Sequence, residues 1–419
     1  MNVVTQGSVF RTGARYTILT AAVGRTGQFD ALTETLPLMD MTLAYGPNSV
    51  FLDVARNSAT LCALEVTRNQ CATSTTEASL GTDNPLVAAI LSLPNLAAIQ
   101  NALNLVSGEI YASANGTLLD NSRYVRDATL ERARQGQDVG GALAYDSAKW
   151  GHVFGSFGDR AGDGNAATID ANIGGFFVGG DAVIADLFRL GVATGYSYSS
   201  FSVAQRASSG SSDDLPIAVY GGAQWGVLGL RGGAAYTWHD IEVNRSIVFP
   251  GFSDATKAEY GARTAQAFGE AGFALNFGGL AAEPFAQIAQ VALSTDAFDE
   301  SGGAAALRLA KNSGAVTYTT LGLRAVQPFA SGGNWSATAR GILGWRHAFG
   351  DTLPLTTNAI GASSTFVIAG VPIAADSLVV DAGLDVNVAD NVTFSFNYSG
   401  QIARTAMDNG AWGNLAVRF

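Results

Sequence analysis

The six residues NLAVRF (Asn414–Phe419), at the end of the sequence, decide the fold. Counted back in steps of two, they place Phe419, Val417 and Leu415 on one side, with small or polar residues between them. This alternation predicts a β-strand that runs to the last residue. Most chains end instead in a few polar, frayed residues. We therefore expect the final strand to be paired along its whole length with another strand.

Composition sets this chain apart from most soluble proteins. Of its 419 residues 50 are glycine, only 14 % are charged, and the mean hydropathy is +0.18. Even so, no run reaches the roughly eighteen apolar residues expected of a membrane-spanning helix. The nearest, residues 86–99, is interrupted by Ser92 and Pro94. The 24 basic and 35 acidic residues give a net charge of −11, which argues against a nucleic-acid partner.

The cysteines and the N-terminus carry little information. Cys62 and Cys71 enclose a short loop that a disulfide could close in an oxidising compartment, and two unpaired thiols are an equal alternative. The three histidines are remote from both cysteines in sequence, so no metal site is predicted. Met1 is not followed by a signal peptide, so if the protein is exported we expect its N-terminal part to be missing from this chain.

Two segments with different sequence patterns precede residue 150. Residues 1–68 contain short β-rich runs, which suit either a small sandwich or the last coils of a β-solenoid. Residues 69–149 have a helical pattern, and the last part, residues 115–134, carries charge around much of its circumference. As one helix, residues 107–134 would span roughly 42 Å, enough to cross a bilayer core of about 30 Å. It is either a solvated connector or a helix inside a wet, polar tube. The charges of this linker helix are Arg123, Arg126, Asp127, Glu131 and Arg134.

Residues 150–419 read as antiparallel strands. In NVTFSFNYSG (391–400), apolar side chains alternate with Thr, Ser and Asn over eight residues. The twelve predicted strands cover residues 150–158, 168–180, 187–202, 213–226, 227–243, 260–278, 280–295, 315–329, 334–348, 376–389, 391–403 and 408–419.

Alternation alone also fits a soluble sandwich. Three features favour a membrane barrel with its apolar face outward: the polar face is rich in Gly, Ser, Thr and Asn, the strand number is even, and aromatic residues mark the strand ends. A ten-residue strand tilted near 45° spans about 23 Å, the height of an outer-membrane apolar band. Those aromatic residues are Tyr196, Tyr198, Trp225, Tyr236, Trp238, Trp335, Trp345, Trp412 and Phe419. We therefore predict an all-β, twelve-stranded antiparallel barrel.

Strand parity places several charges on the polar, inward face, where the lumen is expected to be hydrated. They either pair with the linker helix or solvate the lumen and pair with each other. These charges are Glu270, Arg324, Arg340, Arg346, Asp381 and Asp385.

The order of these segments, β-rich runs followed by a helical region and then twelve strands, resembles that of the autotransporters (type V secretion) of Gram-negative bacteria. NQCATSTTEAS (69–79) and LVSGEIYAS (105–113) are similar to the family's junction, and VGGDAVIADLFRLGVATGYSYS (178–199), YGARTAQAFGEAGF (260–273), TTLGLR (319–324), LGWRHAFGD (343–351) and NLAVRF are similar to its barrel. The resemblance implies that residues 1–68 are the end of a β-helical passenger, that residues 69–149 are a junction and pore-spanning helix, and that residues 150–419 are the translocator barrel.

The resemblance also implies partners and a location. The barrel would lie in outer-membrane lipid as a monomer, be inserted by the barrel-assembly machinery, and carry Phe419, Val417 and Leu415 as the recognition signal. Its own passenger would reach the cell surface. Some family members cut their linker at an asparagine facing acidic lumen residues. Asn115 and Asn121 lie in the corresponding region and Glu270 is a candidate partner, but no Asn-Asn junction is present, so an uncut linker is expected.

Other functional classes are less well supported. The sequence contains no G-x-S-x-G, Walker loop or H-E-x-x-H, so neither a catalytic centre nor a cofactor is predicted. An outer-membrane porin or receptor with a small soluble domain is the main alternative, although it would have no use for a membrane-length polar helix before the first strand. A soluble adhesin sandwich is a third class.

Overall fold

The computed structural model describes residues 1–3, 9–34, 36–63, 66–134, 147–184, 187–332, 335–389 and 391–418. Its helices are α1 (Arg68–Leu80), α2 (Pro85–Leu91), α3 (Leu96–Val106), α4 (Glu109–Asn121) and α5 (Arg123–Arg134), with short 3-10 turns at Leu61–Ala63 and Ala204–Arg206. Among the helices that it describes, none is both long and apolar enough to cross a membrane.

The β-strands fall into three sheets. The strands are β1 (Arg15–Thr20), β2 (Met39–Tyr45), β3 (Ser49–Arg56), β4 (Ser147–Arg160), β5 (Ile169–Ile184), β6 (Phe188–Val203), β7 (Ser208–Trp225), β8 (Leu228–Phe249), β9 (Phe252–Phe273), β10 (Leu275–Phe277), β11 (Leu280–Thr295), β12 (Phe298–Asp299), β13 (Leu307–Leu309), β14 (Asn312–Gly332), β15 (Trp335–Gly350), β16 (Leu355–Ile360), β17 (Phe366–Ala369), β18 (Asp376–Ala389), β19 (Val392–Ile402) and β20 (Ala406–Arg418).

Twelve of these strands form a closed antiparallel barrel. They are β4 to β9, β11, β14, β15 and β18 to β20, each paired with its neighbour. The last strand closes the barrel by pairing with the first, from Arg418 opposite Ala148 to Ala406 opposite Arg160. The prediction of a twelve-stranded antiparallel barrel is therefore confirmed. Closure satisfies the backbone groups that a sheet edge would leave exposed to lipid.

The outer face of the barrel wall is apolar over a broad band. In β19, Phe394, Phe396 and Tyr398 point outward with 37, 62 and 42 % of their surface exposed, whereas Thr393 and Ser395 are buried on the inner face. Every strand of the barrel carries large apolar residues of this kind, and water would penalise so large a contiguous apolar surface. Hydrocarbon is the environment in which an outward-facing band of this kind is stable.

Aromatic side chains border this band on both sides. On β15, Trp335 is the first residue of the strand and Trp345 lies ten residues further along it, and both are about half exposed. A step of ten residues on a strand tilted near 45° is about 23 Å. Trp412 is an exception to the predicted aromatic border, because it shares the parity of the buried Asn414 and its Nε1 donates to Asp381 in the lumen at 3.1 Å. Its assignment to the border was wrong.

The apolar side chains of β8 change from the outer to the inner face of the barrel just after Trp238. Trp238 belongs to the aromatic row nearer the β8–β9 hairpin, which we call the upper aromatic row. Up to Trp238 the apolar side chains point outward, whereas Ile241, Val243 and Ile247 point inward and are almost fully buried. The pairing of β8 with β9 has no bulge here, so the sequence pattern itself shifts phase. The predicted strands 227–243 and 260–278 were therefore misplaced at their ends, since the β8–β9 hairpin continues to Phe249 and Phe252.

This change of phase also corrects the prediction of a uniformly hydrated lumen. Above the upper aromatic row the inward side chains join a single apolar core with α2, α3, α4 and the sheet formed by β1, β3 and β2. Full burial of one Leu, Ile or Val side chain contributes about 1.5–3 kcal/mol. The interior is thus mainly apolar at one end of the barrel, where buried charges such as Arg245 and Glu300 are paired with each other, and richly charged at the other.

The N-terminal sheet, in the order β1, β3 and β2, is antiparallel throughout. Successive coils of a β-solenoid pair in parallel, so these three strands are not the β-solenoid coils predicted from the sequence. Arg15 on β1 forms a bidentate pair with Asp53 on β3, and this guanidinium lowers the pKa of the Asp53 carboxyl. Cys62 and Cys71 form a disulfide, which ties the turn after β3 to the first turns of α1.

Removing this disulfide is expected to destabilise the N-terminal region by about 2–3 kcal/mol, because the loop between Cys62 and Cys71 gains entropy when unfolded. The double variant Cys62→Ala/Cys71→Ala should expose residues 1–106 to protease at a lower urea concentration than the parent chain. A reductant should produce the same change in the parent and none in the variant. If the parent is unaffected by reductant, the link does not stabilise this region.

Candidate functional site: the plugged barrel lumen

The two ends of the barrel differ in their connections. At one end, which we call the loop end, the connections include residues 296–311 and 351–375, which carry β12–β13 and β16–β17. At the other, which we call the turn end, strands are joined by two to six residues. Helix α4 packs against β5, β6 and β11 together with β16 and β17, and α5 packs against β7 and β8. The linker therefore runs through the lumen, with Glu109 at the loop end and Arg134 toward the turn end.

A fully buried ion pair holds α5 against the wall. Arg132 donates through Nε and Nη2 to both carboxylate oxygens of Asp181 on β5, at 2.6 and 3.0 Å, and the two side chains are 1 and 0 % exposed. Asp181 also pairs with Arg189 and accepts from the hydroxyl of Tyr220 at 2.9 Å. Trp150 donates to that hydroxyl at 2.7 Å. This network fixes both the height and the rotation of α5.

Sequence reasoning missed both partners of this pair. The predicted strand ended at residue 180, one position before Asp181, and Arg132 has no acidic residue three or four positions away in its own helix. A signal was present nevertheless. Asp181 has the parity of Phe177, which is inward and buried, so a strand extended by one residue would have placed a carboxylate in the lumen.

A second cluster surrounds Glu270 on β9. Its carboxylate pairs with Arg134 of the linker at 3.2 Å, with Arg231 at 3.2 Å, and with Arg324. Glu283 pairs with Arg231 and Arg324, both at 2.7 Å. Three arginines thus share two carboxylates, and one of the three comes from the helix. Burial makes such charges stable only while they remain paired.

The opposite side of α5 faces β15 and β18. Glu131 pairs with Arg340 and, within the helix, with Arg134 at 2.8 Å. Arg340 also lies 3.4 Å from Asp385. Further up, Arg346 approaches Asp127 at 3.9 Å. All six charges that parity assigned to the inner face therefore line the lumen, and Glu270, Arg340 and Arg346 reach α5 directly.

The start of α5 is held by a mixture of charges and amides. Arg123 pairs with Asp408 on β20 at 2.5 Å and donates to Gln401 at 2.8 Å. The buried Arg126 donates to Gln266 at 3.0 Å, and Gln266 in turn donates to the Ser122 carbonyl at 2.8 Å. Gln266 therefore marks the junction between α4 and α5.

Asn121 and Glu270 are not brought together. Glu270 binds Arg134, which lies thirteen residues beyond Asn121, or about 20 Å along a helix. Asn115 faces Thr295 instead, whose hydroxyl donates to its side-chain oxygen at 3.1 Å. Neither asparagine therefore has the candidate acidic partner that the sequence offered.

The elbow before α4, Ser107–Glu109, is clasped by loops from the loop end. Gly108 has φ +72°, and an added Cβ would lie 2.3 Å from Leu307 and 3.2 Å from the amide nitrogen of Asn358. Asn358 donates to the Ser107 carbonyl at 3.0 Å. The Glu109 carboxylate accepts from the Ala167 backbone N–H at 2.7 Å and is also bound by an arginine of the β6–β7 turn. Glycine is required here for close packing as well as for its backbone conformation.

A cavity of about 120 Å³ remains beside α5 on the side of β14 to β20. It is bordered by Asp127, His152, Arg346, Asp381 and Trp412 among others. The linker and this cavity together occupy the charged half of the lumen.

Of the proposed assembly signal, Leu415 points outward with 41 % of its surface exposed and Val417 is half-buried opposite Lys149. Phe419 lies outside the described residues.

Comparison with known proteins connects this architecture to a family. Residues 149–399 match the model of the autotransporter beta-domain. Two extracellular serine proteases of Serratia marcescens are 31 % identical to this chain over an alignment of 452 residues, and the alignment covers 97 % of the chain. The chain spans 43 % of the length of these relatives.

Solved structures show the same fold. The translocator domain of autotransporter NalP from Neisseria meningitidis aligns with a TM-score of 0.56 at 15 % identity, covering 73 % of this chain and all of that one. The beta domain of the Bordetella autotransporter Brka aligns with a TM-score of 0.52 at 17 % identity, covering 65 % of this chain and all of that one. The resemblance seen in the sequence is confirmed. The chain belongs to the autotransporter family and carries the β-barrel of an outer-membrane translocator of a Gram-negative bacterium.

Proposed function

We propose that this barrel anchors the protein in the outer membrane and exports the polypeptide that precedes its linker helix. The observation that carries this proposal is the charged linker inside a closed, lipid-facing barrel, paired with the wall through Arg132 and Arg134. A chain segment held in this way has to enter the pore, and the residues N-terminal to it emerge among the long loops. The loop end is then the cell surface.

The division of the chain follows from this. Residues 1–68 are the end of the passenger, residues 69–149 the junction and linker, and residues 150–419 the translocator. The sheet β1–β3 packs on α1 to α3 at the loop end, so the end of the passenger rests on the mouth of its own barrel. The barrel acts as a monomer, and Phe419, Val417 and Leu415 are recognised by the barrel-assembly machinery.

Export of this kind requires no catalytic residue on this chain. Because the periplasm lacks ATP, folding free energy gained outside biases the movement of the passenger, one unit at a time. The Serratia relatives are named extracellular serine proteases. If this chain belongs to a longer protein of that kind, we assign any such activity to residues outside these 419. The porin alternative is less well supported, since a porin needs an open lumen and this one is filled.

Protease shaving of intact cells tests the topology. External protease should remove residues 1–68 while residues 147–418 remain protected, and disruption of the outer membrane should not be needed for the cut. A chain whose N-terminal region is cut only after the membrane is permeabilised would be a barrel that exports nothing.

We also expect the linker to stay intact, since neither Asn115 nor Asn121 contacts Glu270. Heat-denatured outer membranes should contain one species, whose mass includes the 43.2 kDa of these 419 residues. A fragment that begins between residues 115 and 122, and that disappears in Asn115→Gln or in Asn121→Gln, would show that the linker is cut.

A further inference from the structure

Two cavities lie beside the linker, one above the other, along β20. The lower cavity is the space of about 120 Å³ described above, and the upper cavity has a volume of about 50 Å³. Both are large enough to hold water molecules. The upper cavity reaches the loop end, where it is bordered by the exposed Asp159 and Met407. Arg123, Gln401 and Asp408 line both cavities, so these three side chains separate them.

We call these three side chains the constriction. Arg123 of α5 pairs with Asp408 of β20 at 2.5 Å and donates to Gln401 of β19 at 2.8 Å. Ser156 of β4 holds Asp408 on the wall, because its hydroxyl donates to the carboxylate at 2.6 Å. The Asp408 side chain nevertheless keeps 30 % of its surface exposed. Water therefore reaches the constriction although the linker occupies the lumen.

Polar groups without a partner lie at the lower cavity and on the wall beside it. His152 of β4 borders the cavity and is the register partner of Asn414 on β20, and each is 5 % exposed. Within the described part of the chain, neither Nδ1 of His152 nor either polar atom of the Asn414 amide has a hydrogen-bond partner. A buried polar atom without a partner is unfavourable, so these groups favour the entry of water or an ion.

The lower cavity also presents carboxylates that are only loosely neutralised. Asp127 keeps 48 % of its side-chain surface exposed, and it lies 3.8 Å from Arg126 and 3.9 Å from Arg346, beyond hydrogen-bond distance. Asp381 accepts from Trp412 Nε1 at 3.1 Å and forms no ion pair with the residues that the structure describes. The other arginines that border this cavity are bound to carboxylates, as described above. The field in the cavity therefore favours a cation over an anion.

We propose that the two cavities form a conduction path for small cations such as K⁺, beside the linker and through the constriction. Ions enter at the loop end, pass Arg123, Gln401 and Asp408, and reach the lower cavity, where Asp127 and Asp381 select for positive charge. This path belongs to the plugged barrel. It depends on the linker lying in the lumen and not on the export function proposed above.

Planar bilayers that contain the purified chain in KCl distinguish this path from opening of the plug, because the path gives a small, continuous current and the plug gives rare, large openings. Gln401→Ala widens the constriction and leaves the pair of Arg123 and Asp408, whereas Gln290→Ala removes the same side chain from the outer face of β11. Asp381→Asn removes one charge from the lower cavity at constant size. Asp170→Asn makes the same change on the outer face of β5. The reversal potential in a KCl gradient measures the preference for K⁺ over Cl⁻.

We expect the small current of the parent to favour K⁺ about fivefold, and this preference to fall by about half in Asp381→Asn but not in Asp170→Asn, because a fixed charge close to the passing ion is lost. Gln401→Ala should roughly double the small current without more frequent large openings, and Gln290→Ala should behave like the parent.

A parent barrel that passes no small current would overturn the proposal. So would an equal preference for K⁺ in Asp381→Asn and Asp170→Asn, or equal small currents in Gln401→Ala and Gln290→Ala. Export is measured separately by protease shaving of cells, and its failure would leave these currents unchanged, so the two failures are distinct.

Discussion

Asp181→Ala is expected to unblock the pore. In the plugged state Asp181 neutralises two buried guanidinium groups, those of Arg132 on α5 and Arg189 on β6. Without the carboxylate, the plugged state retains a buried charge from Arg132, whereas the unplugged state leaves Arg132 in water. Breaking a buried pair in this way costs about 3–5 kcal/mol. Since about 1.4 kcal/mol is a factor of ten, the ratio of open to plugged barrels should rise by about a hundredfold or more.

Single-channel recording in planar bilayers measures this change as the frequency of large openings. Asp170→Ala is the matched control, because Asp170 lies on the same strand but points outward. The double variant Arg132→Ala/Asp181→Ala should show large openings less often than Asp181→Ala alone, since it removes the buried positive charge of Arg132 together with its partner. If Asp181→Ala and Asp170→Ala open equally rarely, the ion pair does not hold the plug.

Gly108→Ala is expected to loosen the clasp around the elbow. Gly108 and Gly13 both have positive φ, +72° and +76°, the second in a turn closed by the Ala14 N–H and the Arg11 carbonyl, so alanine costs about 1–2 kcal/mol at either position through backbone strain. Only at Gly108 does the new Cβ also meet a neighbour, the side chain of Leu307 at 2.3 Å, whereas at Gly13 it meets nothing within 4 Å. Overpacking adds about 1–3 kcal/mol.

Limited proteolysis of the detergent-solubilised protein in rising urea measures the difference. Gly108→Ala should release residues 1–106 at a clearly lower urea concentration than Gly13→Ala, while the barrel remains folded in both. Equal midpoints for the two variants would mean that the elbow is free to move away from the loops, and the clasp would then contribute nothing to stability.

The barrel was predictable from sequence because lipid imposes a simple rule on it. Each strand must alternate, each edge must be paired, and the outward face must be apolar for about ten residues. The pattern of β19 and the charge assignments at Glu270 and Asp381 follow directly from that parity. These features are local, so they are visible in a single strand.

The upper half of β8 was not recognised because two environments act on one strand. Below Trp238 the outside is hydrocarbon, and above it the inside is a protein core, so the alternation shifts by one residue between Trp238 and Ile241. A search for one continuous phase ends the strand at this point. A second phase that begins without a turn signal is the pattern that would have extended it to Phe249.

The pairing of the linker with the wall depends on tertiary contacts that periodicity does not encode. The charges named for the linker helix include Glu131 and Arg134, which do pair, but leave out Arg132, whose partner lies 49 residues away. Likewise, Trp412 is of a residue type common at the membrane border, but its position in the alternation of β20 places it in the lumen, where it lies. The type of a residue therefore predicts its environment less well than its position in an alternating strand does.

The most direct test of the whole account is the conductance of the purified chain with and without residues 109–134. The intact chain leaves a cavity of only about 120 Å³ beside α5, so it should pass small currents with rare large openings. Removal of residues 109–134 should give large, steady currents from a barrel that still shows the heat-dependent gel shift. Large currents of the same size from both proteins would contradict a linker held inside the lumen.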